Sequence, residues 1–97
     1  MADGQKIDLP SGETLEINLS ENATAGFRWF LKGKLEPQLA LEDESFISPE
    51  GTKTGAPGTR RWRLKAAGTG TAKLEFQYKR PWEEKVERKV NVSVEVT

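Results

Sequence analysis

The chain contains no cysteine and no histidine, and these two absences exclude more chemistry than any residue present suggests. Without cysteine there are no disulfides and no thiolate ligands, so the fold must rest on packing alone. Without either residue, Ser-His-Asp catalysis, Cys-His catalysis and the ordinary zinc sites cannot be built. An enzyme would be left with carboxylate, lysine or tyrosine chemistry, and the carboxylates are scattered along strand-like segments at mostly solvent-facing positions. The chain therefore reads as a non-enzyme with no catalytic residue, no metal site and no cofactor.

Net charge is missing as well, since 15 basic residues balance 15 acidic ones. A balanced chain lacks the electrostatic footprint of a nucleic-acid binder. Arg60-Arg61 reads as solvated strand surface, because no exposed aromatic ladder accompanies it. No apolar run approaches the roughly 18 residues that span a bilayer, so neither nucleic acid nor membrane is expected as a partner. Met1 to Gln5 has no basic n-region and no apolar h-region. Cytosolic placement is expected, or a periplasmic or secreted one if a signal segment has been removed.

What is present is a spaced pattern of apolar residues. At 97 residues, of which 35% are hydrophobic, the chain suits one domain over 1–97 with a single modest core. Lys6 to Leu9 is a short strand stopped by the turn cluster Pro10-Ser11-Gly12. Thr14 to Leu19 alternates, with Leu15, Ile17 and Leu19 on one face, and Ser20 to Gly26 reads as a polar loop. In Phe27 to Lys32, Phe27, Trp29 and Leu31 share a face opposite Phe30. Pro37 breaks the middle into short pieces, and Ser45 to Ser48 is a short strand. Glu50 to Thr59 reads as a long hairpin loop. Arg60 to Ala66, Ala72 to Tyr78 and Val86 to Val96 alternate at period two, placing Trp62, Leu64, Ala66 and Val90, Val92, Val94, Val96 inward.

Short alternating strands with frequent turn signals predict an all-β protein, an immunoglobulin-like β-sandwich of about seven or eight antiparallel strands. A closed barrel is the main alternative. Helix is not expected beyond a turn or two.

Three connections are unusual in composition. Asn22-Ala23-Thr24-Ala25-Gly26, entering Phe27, is built from small residues, and Gly26 can take the positive φ of a sharp re-entry into a strand. Gly55-Ala56-Pro57-Gly58 is equally slim. Arg80-Pro81-Trp82 follows a strand that Pro81 must end, and it presents the two residue types most enriched in binding hot spots. Trp82 has two readings, a lid folded back over the open end of the core or an exposed contact. In an immunoglobulin-like topology the first and third of these loops emerge at the same end, and a long hairpin between the fourth and fifth strands can reach it.

These segments, in this order, resemble the chagasin-type inhibitors of papain-like cysteine peptidases. That family is known by an Asn-Pro-Thr-Thr-Gly-aromatic segment followed closely by Trp, then a Gly-x-Gly-Gly loop, then Arg-Pro-Trp or Arg-Pro-Phe. The resemblance implies reversible, competitive inhibition by a three-part wedge. Asn22, Ala23, Thr24, Ala25, Gly26 and Phe27 would enter the cleft near the catalytic cysteine. Gly55, Ala56, Pro57, Gly58 and Arg80, Pro81, Trp82 would clamp its walls. The implied partner is a papain-like cysteine peptidase, and a monomer is the simplest expectation. Ala23 stands for the family proline, Ala25 for its second threonine and Pro57 for a glycine, so weaker or differently selective inhibition is expected. The rival readings are an immunoglobulin-like adhesion or carbohydrate-binding module, using Trp82 on a sugar or partner surface, and a structural module without a ligand.

Overall fold

The described residues form seven strands, most of them along the period-two alternation: β1 (Gln5–Leu9), β2 (Thr14–Glu21), β3 (Arg28–Lys32), β4 (Leu39–Ile47), β5 (Gly58–Ala66), β6 (Gly70–Lys79) and β7 (Arg88–Val96). The structure, a computed structural model, describes residues 3–22, 25–48 and 57–97. One sheet has the order β1-β7-β6-β3 and the other β2-β5-β4. The inward residues of the two sheets form a common core, as an immunoglobulin-like sandwich requires. Leu9, Ile17, Trp29, Trp62, Leu64, Phe76 and the alternate valines of β7 are all buried in it. Fully burying Phe76 alone contributes roughly 2–3 kcal/mol.

The strands depart from the sequence pattern in several places. β1 runs parallel to β7, whereas every other pairing is antiparallel. The two strands come from opposite ends of the chain, so no hairpin constrains their relative direction. β4 is continuous instead of a set of short pieces. Backbone pairing with β5 carries it across the charged Glu42-Asp43-Glu44, with a register shift between Leu41 and Asp43. Those residues carry no apolar alternation, which is why the pattern does not reveal the strand. β7 starts at Arg88, leaving Val86 in the loop and half-buried.

The most informative departure is at the end of β2, which includes Ser20 and Glu21. Glu21 continues the inward parity of Ile17 and Leu19, and its residue exposure is only 1%. A carboxylate so enclosed requires donors. The Trp29 backbone N–H donates to Oε1 at 2.8 Å. Arg60 donates through Nε to Oε1 at 3.2 Å and through Nη2 to Oε2 at 2.8 Å. Arg60 continues the inward parity of Trp62 and Leu64 in the same way, and its side chain is 13% exposed. It is therefore not solvated strand surface, as expected from sequence. Its guanidinium also lies over the Phe46 ring and within 3.6 Å of Glu44, which in turn meets Arg28 at 3.2 Å. Arg61 does remain on the outer side, paired with Glu16 and Asn18.

Removing one partner of a buried pair leaves the other charge uncompensated. Glu21→Ala should lower the unfolding free energy by about 3–5 kcal/mol, with Glu44 sparing part of the loss. Glu16→Ala, which strips the exposed Arg61 and Arg63, should cost no more than about 1 kcal/mol. Urea denaturation of both variants checks this; equal costs would rule out a structural role for the buried pair.

Candidate functional site

Register places all three unusual connections at one end of the sandwich. In one sheet, Glu21 lies opposite Gly58 and Ile47 opposite Thr59. In the other, Arg28 lies opposite Lys79 and Tyr78 opposite Arg88. The β2–β3, β4–β5 and β6–β7 connections therefore leave from the same rim. Glu21 stitches the sheets together there, because its β2 carboxylate accepts the Trp29 N–H of β3 in the other sheet while Arg60 of its own sheet neutralises it. Asn22, the next residue, donates its backbone N–H to the Tyr78 hydroxyl of β6 at 2.9 Å.

Within the β2–β3 connection, Gly26 has φ +83°, the left-handed conformation expected of a glycine at a tight re-entry. Phe27 lies just outside β3, half-buried, and stacks on Tyr78 with centroids 5.1 Å apart. Ala25 is exposed, and its carbonyl accepts from Arg80 Nε at 3.2 Å. Ala23 and Thr24 lie outside the described residues.

The β6–β7 connection begins with a tight turn in which the Glu83 N–H donates to the Arg80 carbonyl at 3.0 Å. Pro81 occupies the second turn position, which its fixed φ suits. No described non-glycine residue has positive φ, so Trp82 cannot take the third position of a type II turn and the type I geometry remains. This turn holds Trp82 out, with a residue exposure of 72%. The lid reading is thereby excluded: the core is closed from within by Trp29 and Tyr78, whose rings are 4.7 Å apart. Trp82 instead leans on the first loop. A Cβ added to Gly26 would stand 2.7 Å from Trp82 Cη2, so glycine is what lets the ring approach.

The β4–β5 connection divides differently. Gly55 and Ala56 lie outside the described residues, and Pro57 is exposed. Gly58 is not at a loop tip; it is the first residue of β5 and is buried. A side chain there would strike the Phe46 ring and the Ile47 carbonyl. Its smallness serves strand packing at the base of the loop.

The structure thus brings together Asn22, Ala25, Gly26, Phe27, Arg80 and Trp82 around Tyr78. Tyr78 itself was assigned no site role by sequence, nor were Glu21 and Arg60. The signal for all three lay in the alternation: each continues an apolar face at the loop end, where an inward polar group needs a partner. Among the described residues there is no acidic cluster that could hold a metal. The exposed surface offers a thin re-entrant loop and a rigid tryptophan side by side.

The model of the chagasin family of peptidase inhibitors, I42, matches residues 8–96. The chain is 30% identical over 83 residues to chagasin of Trypanosoma cruzi, covering 81% of this chain and 76% of that one. Among solved structures, it is similar to the cysteine protease inhibitor EhICP2 of Entamoeba histolytica, with a TM-score of 0.87 at 22% identity, covering 98% of this chain and 88% of the other. It is similar too to PbICP-C, solved in complex with falcipain-2, with a TM-score of 0.77 at 19% identity over 99% and 92% of the two chains. Family and fold account together for a chain without catalytic chemistry and with its distinctive loops gathered at one rim: it belongs to the chagasin family of peptidase inhibitors and is not an enzyme.

Proposed function

We propose that the protein is a reversible, competitive inhibitor of papain-like cysteine peptidases, and that it blocks the active-site cleft with the three connections at this rim. The observation that carries the reading is the exposed Trp82 ring seated against Gly26, which joins a bulky anchor to a thin loop in one surface. Family membership supplies the class of target, and PbICP-C, a relative in fold, was solved with falcipain-2 bound.

A peptidase cleft is a slot that admits thin chain, so Asn22 to Phe27, with Thr24 between Ala23 and Ala25, takes the centre near the catalytic cysteine. Trp82 provides a large apolar surface with few rotamers to lose, and Pro81 in its turn limits the backbone that must be ordered. Gly55 to Pro57 takes the opposite wall, with Gly58 as its buried root. An interface of ordinary size would cover about 800 Å² on each partner. No covalent step is needed.

Titration against papain, a cathepsin L-like enzyme and trypsin tests the proposal. The first two should show a raised apparent KM, unchanged kcat and full recovery on dilution, while trypsin is unaffected. No inhibition at micromolar concentration would overturn it. Trp82→Ala should weaken inhibition by about 2 kcal/mol or more, as a hot-spot truncation does, with little change in Tm because the ring is exposed.

Gly26→Val should act on both properties. A β-branched residue at φ +83° carries left-handed strain of about 1–2 kcal/mol, and its Cβ displaces the Trp82 ring. Lower Tm together with weaker inhibition is expected, whereas unchanged inhibition would show that the contact with Trp82 does not matter.

A further inference from the structure

We infer that Arg80 is a positioning residue, which acts on the target by holding the first loop and not by pairing with an acidic group of the peptidase. The inference rests on the inhibitor reading above and assigns one side chain within it. Two observations carry it: a stacked column that ends on Arg80, and the internal engagement of its guanidinium edges.

The column is built on Trp29, which is buried, while Arg88 at its far end is exposed. Arg88 stands over the Trp29 ring at 5.8 Å, and Trp29 packs on Tyr78 at 4.7 Å. Tyr78 stacks on Phe27 at 5.1 Å with 21° between ring planes, and the Arg80 guanidinium covers Phe27 at 4.4 Å. The inner rings are fixed from below, because Trp29 Nε1 donates to the Ser20 carbonyl at 2.8 Å and Tyr78 Oη accepts the Asn22 N–H. Each ring therefore locates the next one outward, and Arg80 closes the stack.

The edges of the guanidinium are used as well. Nε donates to the Ala25 carbonyl at 3.2 Å, and Nη1 meets Glu83 Oε1 at 3.1 Å. One face, one donor edge and a counter-charge are all supplied by the chain itself. Ala25 carries only a methyl and Gly26 no side chain at all, so neither offers a polar group to anchor its own loop. Arg80 supplies that anchor from the neighbouring turn, and the Trp82 two residues on braces the same loop at Gly26. Lowering the freedom of the unbound loop reduces the entropy lost on binding.

A charge contact and a positioning role respond differently to Arg80→Lys, which keeps the charge but loses the planar stack and the fork. Inhibition of papain would be measured for the parent, Arg80→Lys, Phe27→Leu, Phe27→Tyr and the Arg80→Lys/Phe27→Leu double variant, with Tm recorded for each. Arg80→Lys and Phe27→Leu should each weaken inhibition about tenfold, the scale of a partly desolvated cation–π contact. The double variant should lose little beyond the worse single one, and Phe27→Tyr, which keeps a ring face, should weaken inhibition less than Phe27→Leu. In NMR spectra of the free protein, the Arg80 Hδ and Hε signals should carry a ring-current shift that Phe27→Leu abolishes. Parent-like inhibition by Arg80→Lys, or additive losses in the double variant, would overturn the inference. Failure of the parent to inhibit papain would instead sink the inhibitor reading. The spectra would then still decide whether Arg80 is held, and an unshifted Arg80 would overturn the inference independently.

Discussion

The Glu21 carboxylate is the constraint on which the working end of this sandwich depends. It sits where three strands from two sheets converge, and it satisfies a β3 backbone N–H and a β5 guanidinium at once. Hydrophobic packing alone would hold the sheets together, but it is non-directional and would not fix how their ends are offset. The Trp29 N–H, donated to Glu21 from the opposite sheet, does fix it, and Arg60 on the neighbouring strand of Glu21's own sheet holds the carboxylate in place by a bidentate, charge-assisted contact. The first connection starts one residue after Glu21, and the second ends three residues before Arg60. Their roots are thus two ends of one ion pair.

Thinness and stiffness conflict in a loop. Ala25 and Gly26 keep the β2–β3 connection slim, yet small residues offer nothing to pack and leave more backbone entropy to lose. The fold resolves this from outside the loop. Tyr78 binds its first amide, Arg80 binds the carbonyl of Ala25, and the Trp82 ring covers Gly26. All three come from β6 and the turn that follows, so what holds Asn22, Ala25 and Gly26 lies some 55 residues later in the chain, as the Arg80–Ala25 separation records. A reading that treats the loops as independent contacts misses this dependence.

That dependence explains what could be read from sequence. The inward residues of β2, β3, β5, β6 and β7 were legible because a half-buried strand repeats at period two. The positive φ of Gly26 was legible for a similar reason, since few residues suit that position. Arg60 lies on the inward parity, yet its polarity points to exposure, and Tyr78 ends an alternating strand with nothing in the sequence to mark its role at the rim. Burial at the rim is decided by whether a partner is present, and the partners here lie in other strands. The continuous β4 was hidden for the opposite reason: its pairing with β5 is made by backbone, and Glu42-Asp43-Glu44 gives no apolar signal. Gly58 looked like one more small loop residue, although what excludes a side chain there is Phe46 on the adjacent strand.

The same division of labour bears on the residues in which this chain departs from its family's loop pattern. Pro57 is exposed, and Ala25 contributes a carbonyl, not its side chain, to the contact with Arg80. Changes at these positions leave undisturbed the tie that holds the first loop. Gly26 and Arg80 have no such latitude, because one must admit the Trp82 ring and the other must reach both a carbonyl and an aromatic face. A rim built this way can vary at its tips while keeping its geometry. The two sheets are tied at this end by a buried carboxylate that takes the Trp29 N–H from the opposite sheet and is itself held by Arg60 of its own sheet.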